Sequence, residues 1–378
     1  MKTVVLGGYG NFGARICRAL ATSPGIELIV AGRDESQASR LASSLNKNVA
    51  AARIDASDAN LPAALRCLGA ELVIHTAGPF QAQGYQVPRA VAEADAHYID
   101  LADGRRFVCD FPLALDATFR ARQRLAITGA STVPALSSAV INHLTSQWRH
   151  IQHIDFCIAP AQTAPRGIAT LAAVLSYCGA PVQVWQKGAW TTQYGWANPQ
   201  RVEFARLPPR LGALCDIPDL ELFPAHYAGA ESIMFRAALE VKIAQHAFAL
   251  IAALRRRGMM GRPEQWARLL HVAAKRLDRF GSSLGGMVVR VTGTDAHGTT
   301  KHRAWHIAAD HDHGPEIPCM PAILLARRLA NGNISATGAH TSMGWLALSD
   351  FEPEFAQWGM VTDMRDETLR DGSVPHGT

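Results

Sequence analysis

No two of the seven cysteines stand at C-x-x-C spacing; they fall at 17, 67, 109, 157, 178, 215 and 319. An odd, scattered set supports neither a disulfide framework nor a zinc ribbon, and it fits a reducing, cytoplasmic setting. No G-x-S-x-G elbow occurs, which removes the usual signature of a serine hydrolase. Charge of one sign is also scarce: 37 Lys+Arg against 32 Asp+Glu leave a net +5 spread along the chain, so no nucleic-acid partner is indicated. Repeats and low-complexity tracts are missing. No apolar run reaches the roughly 18 residues that a membrane span requires. The most apolar segment, Ala244 to Leu254, is followed by Arg255, Arg256 and Arg257. It is expected as a buried helix whose basic end suits its dipole, with membrane contact as the minor alternative. The start, MKTVVLGGYGNFG, lacks the features of a signal peptide, because glycines interrupt its apolar run at once.

What is present is enough apolar material for a large core. Hydrophobic residues make up 48% of 378 positions, against 18% charged, so the chain is expected to fold and to divide into two domains. The first third alternates short β-rich runs with helical stretches. Strands are predicted at 3–6, 27–31, 49–54, 71–76, 97–101 and 125–128, with helices between them. That order calls for a parallel, doubly wound sheet with right-handed crossovers and ligand loops at the C-terminal strand ends. Further on, strands at 151–158 and 182–186 flank a helix at 167–177. A Trp- and Pro-rich stretch follows, then a hairpin of 287–292 with 302–309 and an amphipathic helix at 321–330. The expected fold is therefore α/β: a Rossmann-type sheet plus an α+β second domain inserted before a C-terminal return helix. The boundaries fall at 1–130, 131–314 and 315–360, with a polar, frayed tail at 361–378.

Gly8-Tyr9-Gly10-Asn11-Phe12-Gly13 forms a G-x-G-x-x-G directly after the first strand and before the first helix. The glycines permit a tight turn, close approach of the backbone to a pyrophosphate, and close packing of helix on strand. Free amides at the helix start then hold a diphosphate, so a dinucleotide is expected. At the end of the second strand, Ala31-Gly32-Arg33-Asp34 replaces the acidic residue that grips a ribose 2′-OH. Arg33 can fork to a 2′-phosphate and favours NADP over NAD, whereas Asp34 can serve the ribose or cap the next helix. Asp55 ends the third strand, where it can reach adenine or cap a turn. Ala77, Gly78 and Pro79 end the fourth, where small residues let a nicotinamide riboside lie against the backbone.

Hydride transfer needs one positioned proton donor or acceptor beyond the cofactor. Asp103, at the mouth of the fifth strand, and Thr170, early in the helix after the 151–158 strand, are the candidates. A helix cap is the competing role for Asp103. Ser131 and Thr132 can orient a substrate oxygen, and Arg166 suits an anionic substrate. His75 alternates onto an interior face and is expected as a hydrogen-bonded core residue. His302, His306, His311 and His313 invite a metal reading, but four residues of strand span about 13 Å, too far for His302 and His306 to share an ion. No metal is expected.

The segments GGYGNFG (7–13), VAGRD (30–34), HTAGPF (75–80), HYIDLAD (97–103) and GASTVPALSS (129–138) together resemble the saccharopine dehydrogenase (saccharopine reductase)-like NAD(P)-binding family. RGIATLAAVL (166–175) and PEIPCMPAILLARRLANG (315–332) fit it too. The likeness is closest over 1–140. It implies a Rossmann domain, an inserted second domain, and reduction of a small-molecule substrate between them. Saccharopine-forming members often carry a Cys where this chain has Gly129-Ala130-Ser131, so saccharopine itself is not implied. The expected activity is hydride transfer to or from a C=O, C=N or activated C=C bond. Alternatives are a non-catalytic NADP(H) sensor or scaffold and a peripheral membrane reductase of lipid-like substrates. A homodimer is compatible with all three.

Overall fold

In the computed structural model, residues 1–45, 48–165 and 167–367 are described. Strands β1 (Lys2–Leu6), β2 (Glu27–Gly32), β3 (Ala50–Arg53), β4 (Leu72–His75), β5 (His97–Asp100) and β6 (Leu125–Thr128) alternate with helices α1 (Asn11–Leu20), α2 (Glu35–Leu45), α3 (Leu61–Cys67), α4 (Gln86–Glu93) and α5 (Arg105–Ala121). The strands are apolar on both faces, as a sheet covered on both sides requires; every residue of β4 and β6 is buried. They assemble in parallel in the order β3-β2-β1-β4-β5-β6, so the order reverses between β1 and β4 and a crevice opens above their carboxyl ends. A seventh strand, β15 (Gly338–Thr341), joins β6 from far along the sequence.

After β6 the chain leaves through α6 (Ser137–Leu144) and enters a second seven-stranded sheet. Its strands are β7 (Trp148–Ala159), β10 (Gln200–Val202), β11 (Arg210–Leu214), β12 (Ser232–Leu239), β13 (Gly285–Asp295), β14 (Thr300–Ala309) and β16 (Val361–Asp366). The sheet order is β10-β11-β12-β7-β13-β14-β16, antiparallel except where β12 runs parallel to β7. A separate hairpin, β8 (Pro181–Gln186) with β9 (Ala189–Tyr194), occupies the start of the Trp- and Pro-rich stretch. The helices of this half are α7 (Ile168–Tyr177), α8 (Asp219–His226), α9 (Lys242–Arg256) and α10 (Ala267–Arg276). Helices α11 (Met320–Ala330) and α12 (Leu348–Gln357) bring the chain back. Arg327 of α11 donates to Ser23 Oγ just beyond α1, 3.0 Å away, and pairs with Glu354 of α12.

Two expectations change. The polar tail begins with β16, whose residues 361–366 pair with β14, so its first part is an edge strand rather than a frayed end. Residues 368–378 of that tail lie outside the described set. The Ala244–Leu254 segment is helical, but it is not buried. Only Gln245 and Ala252 of α9 are buried, and Leu250 is 59% exposed. The apolar residues of α9 divide instead, with Phe248 against Trp196 and Ile251 on the core while Ile243 and Leu250 face out, a split that periodicity did not show.

Candidate functional site

The loop between β1 and α1 is held by its own backbone. Gly8 N–H donates to Ala31 O and Gly10 N–H to Gly7 O, both at 2.9 Å. Helix α1 then starts without a side-chain cap, and its first helical bond is Ala14 N–H to Gly10 O. The amides of Asn11, Phe12 and Gly13 thus precede any intrahelical acceptor and face the crevice with the positive end of the dipole. A Cβ on Gly13 would stand 2.2 Å from the Gly7 carbonyl oxygen, so only glycine lets the helix sit this close. A Cβ on Gly10 would meet nothing nearer than that same oxygen at 3.1 Å, which leaves the crevice side open. This geometry fits a diphosphate.

At the ends of β2 and β3 the side chains sort themselves. The Asp34 carboxylate is consumed at the start of α2. Its Oδ1 accepts from the Ser36 amide (3.0 Å), the Ser36 hydroxyl (2.7 Å) and the Gln37 amide (3.1 Å), and its Oδ2 from Gln37 Nε2 (2.8 Å). These bonds, led by those from Gln37 and Ser36, draw its pKa down to about 2. Asp34 is therefore a helix cap. The Tyr9 ring lies against Gly32, leaving no room for a side chain there, and its hydroxyl accepts from the Asp34 amide at 2.9 Å. Gly32 thus gives its space to Tyr9. Arg33 remains exposed, with no hydrogen bond or ion pair among the described residues. Arg53, which is in register with Gly32, stands equally exposed and unpaired. Nothing in the sequence marks Arg53 beyond its place at the end of β3. Asp55 caps its own turn through the Ser57 amide and hydroxyl, which hold its carboxyl low with help from Arg33 and Arg53.

At the ends of β4 and β5 a second group forms. Thr76 donates to the Leu6 and Gly7 carbonyls and ties this strand end to the glycine loop. Ala77, Gly78 and Pro79 follow, with Gly78 and Pro79 exposed and the carbonyls of Ala77 and Pro79 held by Gln83 Nε2. Asp103 does not cap α5, whose N-cap is Gly104 without a side-chain bond. Its Oδ1 instead accepts from Gln81 Nε2 at 2.9 Å. The carboxylate is exposed, yet the protein packed around it partly desolvates it and pushes its pKa up. Tyr177, at the end of α7, faces the same spot from the other half. Burial and then the Asp103 charge raise its phenol pKa, and Gln81 also reaches it. Neither Gln81 nor Tyr177 is signalled in the sequence, because only the fold brings them together.

Behind this group lies a set of buried polar side chains. His75 Nδ1 meets the Tyr98 hydroxyl at 3.0 Å. Asp100 accepts from Ala102 N–H, Thr128 Oγ1 and Gly129 N–H. Burial drives the His75 imidazole down to about 4 and the Asp100 carboxyl up to about 6. His75 is a core residue, sealed from solvent. Ser131 and Thr132 are buried at the end of β6, and neither hydroxyl has a partner among the described residues. Thr170 lies in the first turn of α7, with its side chain outside the described set; Arg166 lies outside it entirely.

Residues 3–133 match a family model described as the saccharopine dehydrogenase NADP binding domain. This domain belongs to the saccharopine dehydrogenase-like NAD(P)-binding family. The whole chain is similar in fold to the apo saccharopine dehydrogenase (L-Glu forming) of Saccharomyces cerevisiae: TM-score 0.69 at 12% identity, covering 97% of this chain and 100% of that one. It is also similar to the homospermidine synthase of Legionella pneumophila in complex with NAD: TM-score 0.57 at 10% identity, covering 97% and 91%. At these identities the likeness concerns the fold. No curated protein matches by sequence.

The saccharopine dehydrogenase-like domain is clasped by the second half at its glycine loop. Asn11 Nδ2 donates to Pro165 O, just before α7, at 3.2 Å. Arg15 pairs with Glu316 at 2.8 Å, and the Cys319 thiol donates to Phe12 O. Arg105 at the start of α5 reaches Gln183 O of β8 and pairs with Asp216. The histidines at 302, 306 and 313 turn to Thr292, the Ala205 amide and Trp358 O respectively. Among the described residues no three metal-ligating side chains converge.

Proposed function

We propose that this chain is an NADP(H)-dependent oxidoreductase, acting on a C=O, C=N or activated C=C bond in the recess between the ends of β4 and β5 and helix α7. The observation that carries the cofactor preference is the division of labour at β2 and β3. Asp34 is spent on capping, while Arg33 and Arg53 stand unpaired where a 2′-phosphate would lie. Two exposed guanidiniums, neither in a close ion pair and both within the field of only the Asp55 carboxylate, favour the more highly charged dinucleotide. The residues of this cofactor site are Gly8, Tyr9, Gly10, Asn11, Phe12, Gly13, Arg33, Arg53, Ala77, Gly78 and Pro79. Asp55 steers the two guanidiniums.

When bound, the nicotinamide supplies or accepts the hydride. The chain's own groups orient the partner and manage its proton. Tyr177 keeps its phenolic proton at neutral pH as any tyrosine does, and burial and the Asp103 charge hold that proton more tightly still, so it serves as a hydrogen-bond donor to a developing oxyanion or amine. Asp103, oriented by Gln81, is the neighbouring carboxyl that exchanges a proton with the reacting atom in this reading. Ser131 and Thr132 offer hydroxyls, and Thr170 stands on the facing helix. Fluorescence titration with NADPH and NADH tests the cofactor; oxidation of NADPH across keto acids, aldehydes, imines and enoyl compounds tests turnover. Asp103→Asn should lower kcat on the order of a hundredfold while leaving NADPH binding unchanged. Tight NADPH binding with no turnover of any class would reject the enzyme in favour of a sensor.

A further inference from the structure

Residues 242–280 form an excursion between β12 and β13 whose surface differs from the rest of the molecule. It carries nine Lys/Arg and two Asp/Glu, a net +7, whereas the whole chain carries only +5. The two acids are turned inward: Asp278 accepts from Gln162 Nε2 at 2.9 Å, and Glu264 buries Oε2. Eight of the nine cations are exposed, namely all except Arg255. Arg255 is instead committed to the Ser176 and Cys178 carbonyls at the end of α7.

Phe248, Ile251 and Leu270 of this stretch pack inward, but a second set of its apolar residues turns outward. On α9, Ile243, Ala247 and Leu250 fall on one helical face and are exposed, Ile243 by 67%. Trp266, Leu269, Val272 and Ala273 do the same on and just before α10, with Leu269 61% exposed. Phe280 follows, 63% exposed, with the Arg279 guanidinium 4.6 Å from its ring centroid. Exposed leucine, tryptophan and phenylalanine ringed by unpaired cations is the composition of an interfacial helix, whose apolar side enters the acyl boundary while its cations meet anionic headgroups. A second copy of the chain would have to set one +7 surface against another, at a cost in repulsion. Nucleic acid would satisfy the cations and leave the aliphatic face wet.

We propose that residues 242–280 dock the protein onto an anionic lipid surface. The docking patch adjoins the recess: α10 packs along α7 and Arg255 of α9 holds its far end, while the chain entering α7 touches the glycine loop through Pro165. The inference stands apart from the cofactor reading, because vesicle binding is measured without turnover.

The test is flotation of the full chain with vesicles of phosphatidylcholine alone and of phosphatidylcholine with phosphatidylglycerol. Binding is expected to the anionic vesicles only, to be lost at high salt, and to shift Trp266 emission to the blue. Neutralising Arg257, Arg268 and Arg276 to Gln should lower partitioning roughly a hundredfold, at about fivefold per charge. Leu269→Ser with Phe280→Ser should lower it at least about tenfold. NADPH titration and melting curves of both variants should match those of the parent, since all five side chains are exposed. No flotation with anionic vesicles at low salt overturns the proposal, as does binding that survives both variants. Self-association dissolved by Leu269→Ser without any vesicle binding overturns it in favour of a second copy. RNA binding indifferent to the serine variant, with no flotation, overturns it in favour of nucleic acid.

Discussion

Helices α1 and α10 are each ten residues long and treat their apolar side chains in opposite ways. Helix α1 buries Ile16, Cys17 and Leu20 completely and offers solvent a row of bare backbone amides. Helix α10 turns Leu269 and Val272 outward and buries only Ala267 completely enough to count as core. Both are amphipathic, so the pattern alone does not separate them. The difference lies in what covers the apolar residues: a parallel sheet in the first case, whereas in the second Leu270 packs inward and α7 lies alongside, but Leu269 and Val272 are left exposed among the described residues. A helix of the first kind contributes stability, whereas one of the second kind contributes a surface.

The strongest blow to this contrast falls at Gly13. Valine there would drive Cβ into the Gly7 carbonyl, forcing α1 off the sheet. Chemical denaturation should register a loss of about 3 kcal/mol or more, with NADPH binding abolished. Paired truncations sharpen the contrast next. Ile16→Ala should cost about 2–5 kcal/mol, and Leu269→Ser no more than about 0.5 kcal/mol, by the same measurement. A similar cost for both would mean that α10 is packed against something in solution.

Acid dependence should also belong to the covered half. The His75 pKa falls from 6.5 to about 4 because burial penalises the charged ring. The unfolded chain then binds more protons in that window, so this contribution to stability is complete above pH 6.5. It is lost progressively as the pH falls toward about 4. Stability of His75→Gln measured from pH 7 to 4 should therefore fall less steeply than that of the parent. An unchanged slope would show that the ring is not sealed.

The mildest intervention touches neither core nor patch. Arg33→Ala should raise the KM for NADPH roughly tenfold to a hundredfold, the worth of one charge-assisted bond, and leave the KM for NADH and the melting temperature in place. Equal effects on both nucleotides would remove the 2′-phosphate assignment.

The parallel sheet was legible because strands buried on both faces print as unbroken apolar runs, each closed by a turn residue: ELIVAG, LVIH, LAIT. Much of the second sheet was not. Strands β11 and β12 carry Arg210 and Arg236, which look like surface residues on paper. In the fold Arg210 is buried against the carbonyls of Ala159, Pro160 and Leu284, and Arg236 pairs with Asp155 on β7. Such charges break the period that marks a strand, and their partners lie far off in sequence. The candidate site divides in the same way. The glycine loop is contiguous and could be read directly. The competition between Arg33 and Asp34 was left open in the sequence, because it turns on which side chains the first turn of α2 aims at the carboxylate. Tyr177 comes from the other half of the molecule and left no trace beside Asp103.

The chain passes between the two sheets three times: after β6, before β15, and again between β15 and β16. Neither sheet is therefore encoded by one uninterrupted stretch. A gene fusion that transplanted only residues 1–133 would leave the seventh parallel strand behind and bare the hydrogen-bonding rim of Leu125–Thr128 to any other strand nearby. A transplant that keeps that rim covered therefore has to bring residues 338–341 with it.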